Sequence, residues 1–228
     1  VLMDGQLMEK RAGMGGAYEG ADRLGRELAS FRPRIVSADG ALSQRDKTLV
    51  DARGHDLLRN VGPIQGASYI YRDSIVGSQY RLNAHPDIRV LGLDDGWMDE
   101  FQQEAEAKFM LWAEADENWI DASRMNNFTS MIRLAVAIAF AGGECLATGE
   151  WARDGRPFST CLQMVDCDRL SNPNDQMDTP TLRRGIERTR MGAPIAAHIR
   201  EAHPSDFHQN EKVYSWKRVP FRKSWGRL

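Results

Sequence analysis

The hydrophobic period of the chain changes at Gly142-Gly143, and this change limits the folds that are open to it. Before these glycines, apolar residues recur every three or four positions, as they do on one face of an amphipathic helix. After them, short apolar runs alternate with polar residues, which is the period of a half-buried strand. Helices first and strands afterwards predict an α+β fold, in which N-terminal helices precede a mainly antiparallel β-region.

Four helices are predicted before this change of period. Ser43 can cap the first, and Gly62-Pro63 ends it and starts a second helix that stops near Gly77. The fourth begins near Asn126 or Asn127 and ends at the two glycines. The apolar positions of the first helix are Leu42, Leu49, Val50, Leu57, Leu58 and Val61. Those of the third, whose two tryptophans are expected in the core, are Trp97, Phe101, Ala105, Phe109 and Trp112.

Strands are predicted in the second part of the chain. They cover residues 144–151, 160–166, 185–190, 194–200 and 214–219. Met191-Gly192 lies between two alternating runs and predicts a hairpin turn. The chain therefore divides into a glycine-rich, mobile N-terminal arm at residues 1–36, a helical region at 37–142 and a β-rich region at 143–228.

Charge is distributed unevenly along the chain. The net charge of −2 argues against a protein whose main task is to grip phosphates. Residues 1–120 hold 14 basic and 20 acidic side chains, whereas residues 121–228 hold 16 and 12. The acids concentrate at 94–117 and the bases at 212–228. This asymmetry indicates either surfaces that meet opposite charge, on a partner or on a neighbouring copy of the same chain, or two solvated faces. The candidate interface residues are Lys217, Arg218, Arg222, Lys223, Asp99 and Glu100.

Cysteine usage and hydropathy give no sign of export. Cys145, Cys161 and Cys167 are odd in number and form no C-x-x-C pair, so they are expected to be buried, small apolar side chains of a reduced, cytoplasmic protein. No apolar run approaches the roughly 20 residues that span a bilayer.

Candidate metal ligands occur in two places. Asp166 and Asp168 form an Asp-x-Asp pair at a predicted strand end, where their side chains can either hold a divalent metal or bond the backbone of the following turn. His198, His203 and His208 are five residues apart, a spacing that keeps them on one face of neither a helix nor a strand. Turn and surface roles are therefore expected, with no metal, no cofactor and no catalytic residue.

Several strings resemble portal proteins of the lambda family of tailed bacteriophages, in family order. They are AYEGA at 17–21, SAD at 37–39, LRNVG at 58–62, RDSIVGS at 72–78, FMLWAE at 109–114, AGGECLA at 141–147, LQMVDCDRLSNP at 162–173, RGIE at 184–187, GAPIAAHI at 192–199, AHP at 202–204 and WKRVP at 216–220. The string at 162–173 is the most distinctive.

This resemblance implies a non-catalytic subunit of a homo-oligomeric ring, typically a dodecamer, at one capsid vertex. Such a ring passes double-stranded DNA during packaging and ejection, and it docks the terminase, capsid or scaffold proteins and head-completion proteins. Family members are longer, so the chain is expected to be mainly the wing, with stem, clip and crown absent and most DNA contacts made elsewhere. The implied location is the virion, or the host cytoplasm during assembly, with a prophage as one source.

Two alternatives remain open from the residues. One is a metal-dependent phage-head enzyme, a nuclease or a protease, that uses Asp166 and Asp168. The other is a DNA-binding adaptor that uses the basic residues at 212–228, for which DNA affinity would fall steeply with salt.

Overall fold

The computed structural model describes residues 30–208 and 211–222, and the chain divides into two compact units, 1–42 and 43–228. In the first unit, helix α1 (Ala38–Ala41) begins after Ser37, whose hydroxyl accepts a hydrogen bond from the Gly40 N–H at 3.0 Å. Residues 1–29 of the predicted arm lie outside the described residues. The boundaries that the sequence suggests for the arm, helical and β-rich regions stay predictions.

The helices of the second unit are α2 (Gln44–Asn60), α3 (Gly62–Val76), α4 (Ile88–Leu91), α5 (Asp95–Ala113) and α6 (Phe128–Gly142). The four predicted helices occur in the predicted order, and a short helix that was not predicted, α4, precedes the third of them. The Ser43 hydroxyl caps α2 by accepting the Asp46 N–H at 3.2 Å, and Asn127 caps α6. Helix α6 ends at Gly143, which has φ = 74°, a left-handed conformation that favours glycine.

The strands form two antiparallel sheets. They are β1 (Leu146–Trp151), β2 (Thr160–Val165), β3 (Leu182–Arg183), β4 (Ile186–Arg188), β5 (Pro194–Arg200) and β6 (Trp216–Pro220). Strands β1 and β2 pair as one hairpin, and the second sheet has the order β3-β4-β5-β6. Gly192, at φ = 87°, occupies the predicted turn before β5. The α+β fold with a mainly antiparallel β-region is therefore confirmed.

Two hydrophobic clusters form the core of this unit. The β-sheet cluster consists of Val165, Leu170, Ala197 and Ile199, which join the two sheets. The junction cluster consists of Ala113, Ile120 and Met131, on which Phe109, Trp112, Phe128, Leu162 and Met164 pack. It brings the end of α5, the start of α6 and strand β2 together. Among the described residues, no helix has the length and apolar character needed to span a membrane.

Two expectations about burial are wrong. Trp97 was expected in the core, but it is 37% exposed and stacks on Phe101 at the surface of α5, with 5.0 Å between the ring centroids. It lies in the first turn of α5, whereas the junction cluster forms at the other end of that helix. Cys145 was expected to be buried and is exposed, because it lies between the end of α6 and the start of β1; Cys161 and Cys167 are buried, as predicted.

Candidate functional site

The basic candidate residues lie on and after β6. Lys217, Arg218 and Arg222 are exposed, and Lys223 lies outside the described residues. Arg218 donates a hydrogen bond from Nε to Glu187 on β4 at 2.7 Å. This bond, with the charge of Arg218, holds the pKa of Glu187 below its usual value. Arg218 is therefore already paired within its own sheet.

Lys217 faces a different environment from Arg218, because neighbouring residues on a strand point to opposite faces. It lines a cleft of about 220 Å³ together with the acids Glu150 and Glu201. Arg169 also lines this cleft, but its guanidinium donates to the backbone carbonyl oxygens of residues 200 and 201. The basic face of β6 is thus a mixed-charge surface.

The acidic candidate residues, Asp99 and Glu100, lie on α5 and are exposed. They share the first half of this helix with the exposed, stacked pair of Trp97 and Phe101. This surface offers negative charge next to aromatic rings, a combination that suits a protein contact. Arg218 forms its ion pair with Glu187 of its own sheet and does not pair with the acids of α5.

Helices α2 and α3 present a further surface that the sequence did not single out. We call it the α2–α3 apolar surface. Its side chains are between 45% and 71% exposed, although each is large and apolar or aromatic. It comprises Leu49, Val50, Leu57, Tyr69, Ile70, Tyr71 and Ile75. Large apolar side chains left exposed in such number on two packed helices are typical of a contact site.

The opposite face of α2 is polar, and it is the face that turns inward. Lys47 is buried and lies 2.5 Å from Asp51 and 2.5 Å from Glu144, which follows α6. Burial acts to lower the pKa of Lys47, but its two hydrogen bonds to the carboxylates outweigh burial and raise it. Gly54 on this face is so close to α6 that an added Cβ would lie 2.5 Å from the Ala141 carbonyl oxygen.

Asp121 organises the loop between α5 and α6. Its carboxylate accepts backbone N–H bonds from Ser123 at 2.9 Å, Met125 at 3.2 Å and Asn126 at 3.0 Å. Desolvation acts to raise the pKa of Asp121, and these bonds lower it below its ordinary value overall. The backbone of the same loop pairs with β2, because the Leu162 N–H donates to the Ile120 carbonyl oxygen at 2.7 Å.

The two groups of candidate metal ligands meet in part. Asp166 bonds the turn backbone as predicted, since its carboxylate accepts the Asp168 N–H at 3.0 Å. His203 joins this pair, with Nε2 at 3.4 Å from Asp168 Oδ2 and 3.9 Å from Asp166 Oδ2. His198 instead lies 3.5 Å from Glu187, and the ring of His208 contacts Phe207.

His55 is the member of this group that sequence reasoning missed. Its Nδ1 lies 3.8 Å from Asp168 Oδ2. The spacing of Asp166 and Asp168 does not indicate that a histidine more than 100 residues earlier in the chain lies beside them. The available signal is on α2 itself, where Lys47, Asp51 and His55 are four residues apart and therefore form one polar stripe along the helix.

The described residues thus combine an exposed apolar helical surface, an acidic surface on α5 and a mixed-charge surface at β6, and they provide no established catalytic site. This combination is typical of a structural protein. Residues 24–224 match the family described as phage portal protein, lambda family. The chain is 34% identical over 213 residues to the portal protein of Escherichia phage N15 and 33% identical over 213 residues to portal protein B of Escherichia phage lambda.

The chain therefore belongs to the lambda family of phage portal proteins. Each of the two alignments covers 93% of this chain and 39% of the relative. The chain thus spans less than half the length of the curated relatives that it matches.

Proposed function

We propose that this chain is part of a structural, non-enzymatic subunit of the ring that forms the portal vertex of a phage capsid. In the complete protein, identical subunits close a ring, which we expect to be a dodecamer, around a channel for double-stranded DNA. Membership of the lambda portal family supports this proposal. The observation that carries it is the α2–α3 apolar surface, which stays exposed although its side chains are large and apolar.

A closed ring of identical subunits needs two different faces on each subunit, one of which meets the other face of the next copy. The α2–α3 apolar surface supplies the kind of area that a buried interface uses. The acidic residues of α5 and the exposed basic residues on and after β6 supply opposite charges, which favour one orientation of neighbouring subunits over others. Asp99 and Glu100 on one side, and Lys217, Arg222 and Lys223 on the other, are the proposed charged contacts.

The charge of the chain suits a conduit through which DNA slides. Each phosphate that a protein neutralises adds affinity, so a strongly basic channel would resist translocation. With a net charge of −2, this chain does not have the composition of a DNA clamp. We expect most DNA contacts, and the docking of terminase, scaffold and head-completion proteins, to involve parts of the complete protein outside these residues. Assembly would take place in the host cytoplasm, from a phage or prophage gene, and end in the virion.

Negative-stain electron microscopy tests the proposal directly. We expect the complete portal protein that contains this chain to form rings with a central hole. The paired sample is this chain alone, in which rings would locate the principal subunit contacts within these residues. A complete protein that stays monomeric at high concentration, with purified capsid or scaffold protein present, would contradict a portal role.

Charge substitution tests the proposed charged contacts, and the structure shows which basic residues are suitable for it. Arg218→Glu would place two acids side by side at Glu187 and disturb the sheet itself. The sharper variant is therefore Lys217→Gln, which adds no third acid to the cleft of Glu150 and Glu201, combined with Arg222→Glu and Lys223→Glu in the complete protein. We expect ring yield to fall at low salt while the melting temperature stays unchanged.

Arg190→Glu, on the exposed hairpin before β5, is the matched control and should keep its ring yield. Unchanged rings in the triple variant would show that the basic surface around β6 is solvated and makes no subunit contact.

A further inference from the structure

Four side chains with metal-ligating atoms converge from three separate elements of the fold. Asp166 and Asp168 follow β2, His203 follows β5, and His55 comes from α2. One ligand atom each from Asp166, Asp168 and His203 lies within 4.8 Å of the others. His55 approaches the same Asp168 oxygen as His203, at 3.8 Å and 3.4 Å respectively.

These separations are close to those that a bound metal ion requires. Two donors that are each 2.1 Å from an ion, at the tetrahedral angle, are about 3.4 Å apart. The contacts of Asp168 with the two histidines, and the 3.9 Å from His203 to Asp166, lie at or slightly above this value. All four side chains are between 27% and 53% exposed, so they can adjust by a few tenths of an ångström and an ion can enter from solvent.

Local contacts hold the donors toward one point. The Asp168 N–H binds Oδ1 of Asp166, which leaves Oδ2 of Asp166 directed to His203. On the other side of the His203 ring, Nδ1 lies 2.6 Å from the Ser205 hydroxyl. In the tautomer with a proton on Nδ1, this hydroxyl accepts a hydrogen bond from Nδ1–H, and Nε2 is free to bind a metal ion. The Ser205 N–H, which points at Nδ1 from 3.1 Å, gives up its contact in that tautomer.

The position of His55 is an independent indication. Helix α2 turns Lys47 and Asp51 inward beside the half-buried Leu58, and it leaves Leu49, Val50 and Leu57 exposed. Lys47 and Asp51 in the polar stripe have partners in the buried network with Glu144. His55, one turn further along, ends the stripe at the Asp166–Asp168–His203 group.

We propose that Asp166, Asp168 and His203 bind one divalent transition-metal ion of the zinc type, and that His55, which lies outside this 4.8 Å group but approaches Asp168, moves closer to become the fourth ligand. Two carboxylates neutralise the charge of a divalent ion, and two neutral imidazoles select zinc and related ions over calcium and magnesium, which prefer oxygen ligands alone. The ion links α2 to the end of β2 and to the segment after β5. The role of the ion is structural. It fixes α2, which carries part of the α2–α3 apolar surface, against the strands β2 and β5.

Two calorimetric measurements test this site. Titration calorimetry of the metal-stripped chain with Zn²⁺ gives the stoichiometry and Kd, and scanning calorimetry gives the melting temperature with and without the ion. We expect one ion per chain, a melting temperature raised by about 5 °C or more at a large excess over Kd, and little effect of Mg²⁺ at the same concentration. Co²⁺ should give the visible absorption of a low-symmetry site with nitrogen and oxygen ligands.

Removal of single ligands assigns the site. Asp168→Asn, which keeps the shape of the side chain, and His203→Ala should each weaken Zn²⁺ binding about tenfold or more. His208→Ala, on the same segment but in contact with Phe207, is the matched control and should bind as the parent does. Circular dichroism without metal establishes that each variant is folded.

Two outcomes would overturn the proposal. One is the absence of saturable Zn²⁺ binding by the parent chain. The other is binding that folded Asp168→Asn and His203→Ala retain in full, which would leave these residues as ion pairs of the native fold. The test uses no ring and no DNA, so it succeeds or fails independently of the proposed portal role.

Discussion

The pair of helices α2 and α3 and the body from α5 onward use their apolar residues in opposite ways. In the body, Ile120 is fully buried and Met131 is 2% exposed, and aromatic and aliphatic side chains surround them. In α2 and α3, Leu57 and Tyr71 are close to half exposed, while the buried positions include Lys47 and Ser68. The same residue types therefore stabilise one region internally and remain on the surface of the other.

This difference assigns two roles to apolar residues: those of the body stabilise the fold, and those of α2 and α3 are available for assembly. Burial of apolar area is the main favourable contribution to folding, so the two hydrophobic clusters carry the stability of the body. Helix α2 is attached through charged and polar contacts, among them Lys47 with Asp51 and Glu144. Its apolar side chains stay available for another surface. The four predictions below test this division, and they run from the largest expected loss of stability to the smallest.

The largest effect is expected in the junction cluster. Ile120→Ala removes three buried carbons at a position that is 0% exposed, where the helices meet β2. Such substitutions lose transfer free energy and leave a cavity, so we expect about 4 kcal/mol less stability. Urea denaturation followed by circular dichroism measures it. A loss below about 1 kcal/mol would mean that the junction cluster is not the principal core of this unit.

Lys47→Met tests how α2 is attached. It leaves the buried carboxylate of Asp51 and the neighbouring carboxylate of Glu144 without their shared cation. Removal of one partner from a buried ion pair is costly, and because Glu144 is partly exposed we expect about 3 kcal/mol. The triple change Lys47→Met, Asp51→Leu and Glu144→Gln removes the carboxylates too and should recover part of this loss.

The pH dependence of Lys47 has a definite sign. Its pKa is raised in the folded protein, so its contribution is fully present below the unfolded-state pKa of about 10.4 and is lost as pH rises through the higher folded value. The stability difference between the parent and Lys47→Met should therefore be constant from pH 6 to pH 9 on this account and shrink above about pH 10.5. A difference that is independent of pH would contradict this role for the lysine charge.

Asp121→Asn should cost less, about 2 kcal/mol, because it removes a charged acceptor of several backbone N–H bonds but leaves one oxygen in place. The pKa of Asp121 is lowered in the folded protein, so its contribution is present above the unfolded-state value of about 3.9 and disappears as pH falls through the folded value. Asp116→Asn, in the same segment and exposed, is the control. Equal losses in both variants would exclude a special role for Asp121.

Elements with strong local signals were predictable from the sequence. Asn127 and the glycine pair after α6 define both ends of that helix, because capping and left-handed backbone depend on neighbouring residues alone. Strand β5 has its predicted bounds, and Gly192 makes its turn. The two-residue strand β3 was not predicted, since so short a strand has no period of its own and depends on pairing with β4.

Which face of a helix turns inward was not predictable by the same means. Hydrophobic period identifies two faces of α2, and burial of the apolar face is the usual expectation. The burial of Lys47 and Asp51 on the inward face depends on Glu144, which lies more than 80 residues beyond Asp51 in the sequence and reaches Lys47 only in the folded chain. The approach of His55 to Asp168 is of the same kind. Local periodicity does not show which distant polar residues pair, so the sequence identified Asp166, Asp168 and His203 as candidates but not their approach to one another or to His55.

The smallest loss of stability is expected on the α2–α3 apolar surface, and there assembly is the sensitive measurement. Leu57 is 45% exposed, so Leu57→Lys should change the stability of this chain by no more than about 0.5 kcal/mol. In the complete protein, a lysine in a buried subunit contact would have to be desolvated without a partner, and we expect ring yield to fall severalfold. Ala52→Lys, on the same helix outside this surface, is the matched control. If Leu57→Lys destabilises the isolated chain as strongly as Ile120→Ala does, the two regions do not differ in the way proposed; if both lysine variants form rings normally, the α2–α3 apolar surface is not a subunit contact.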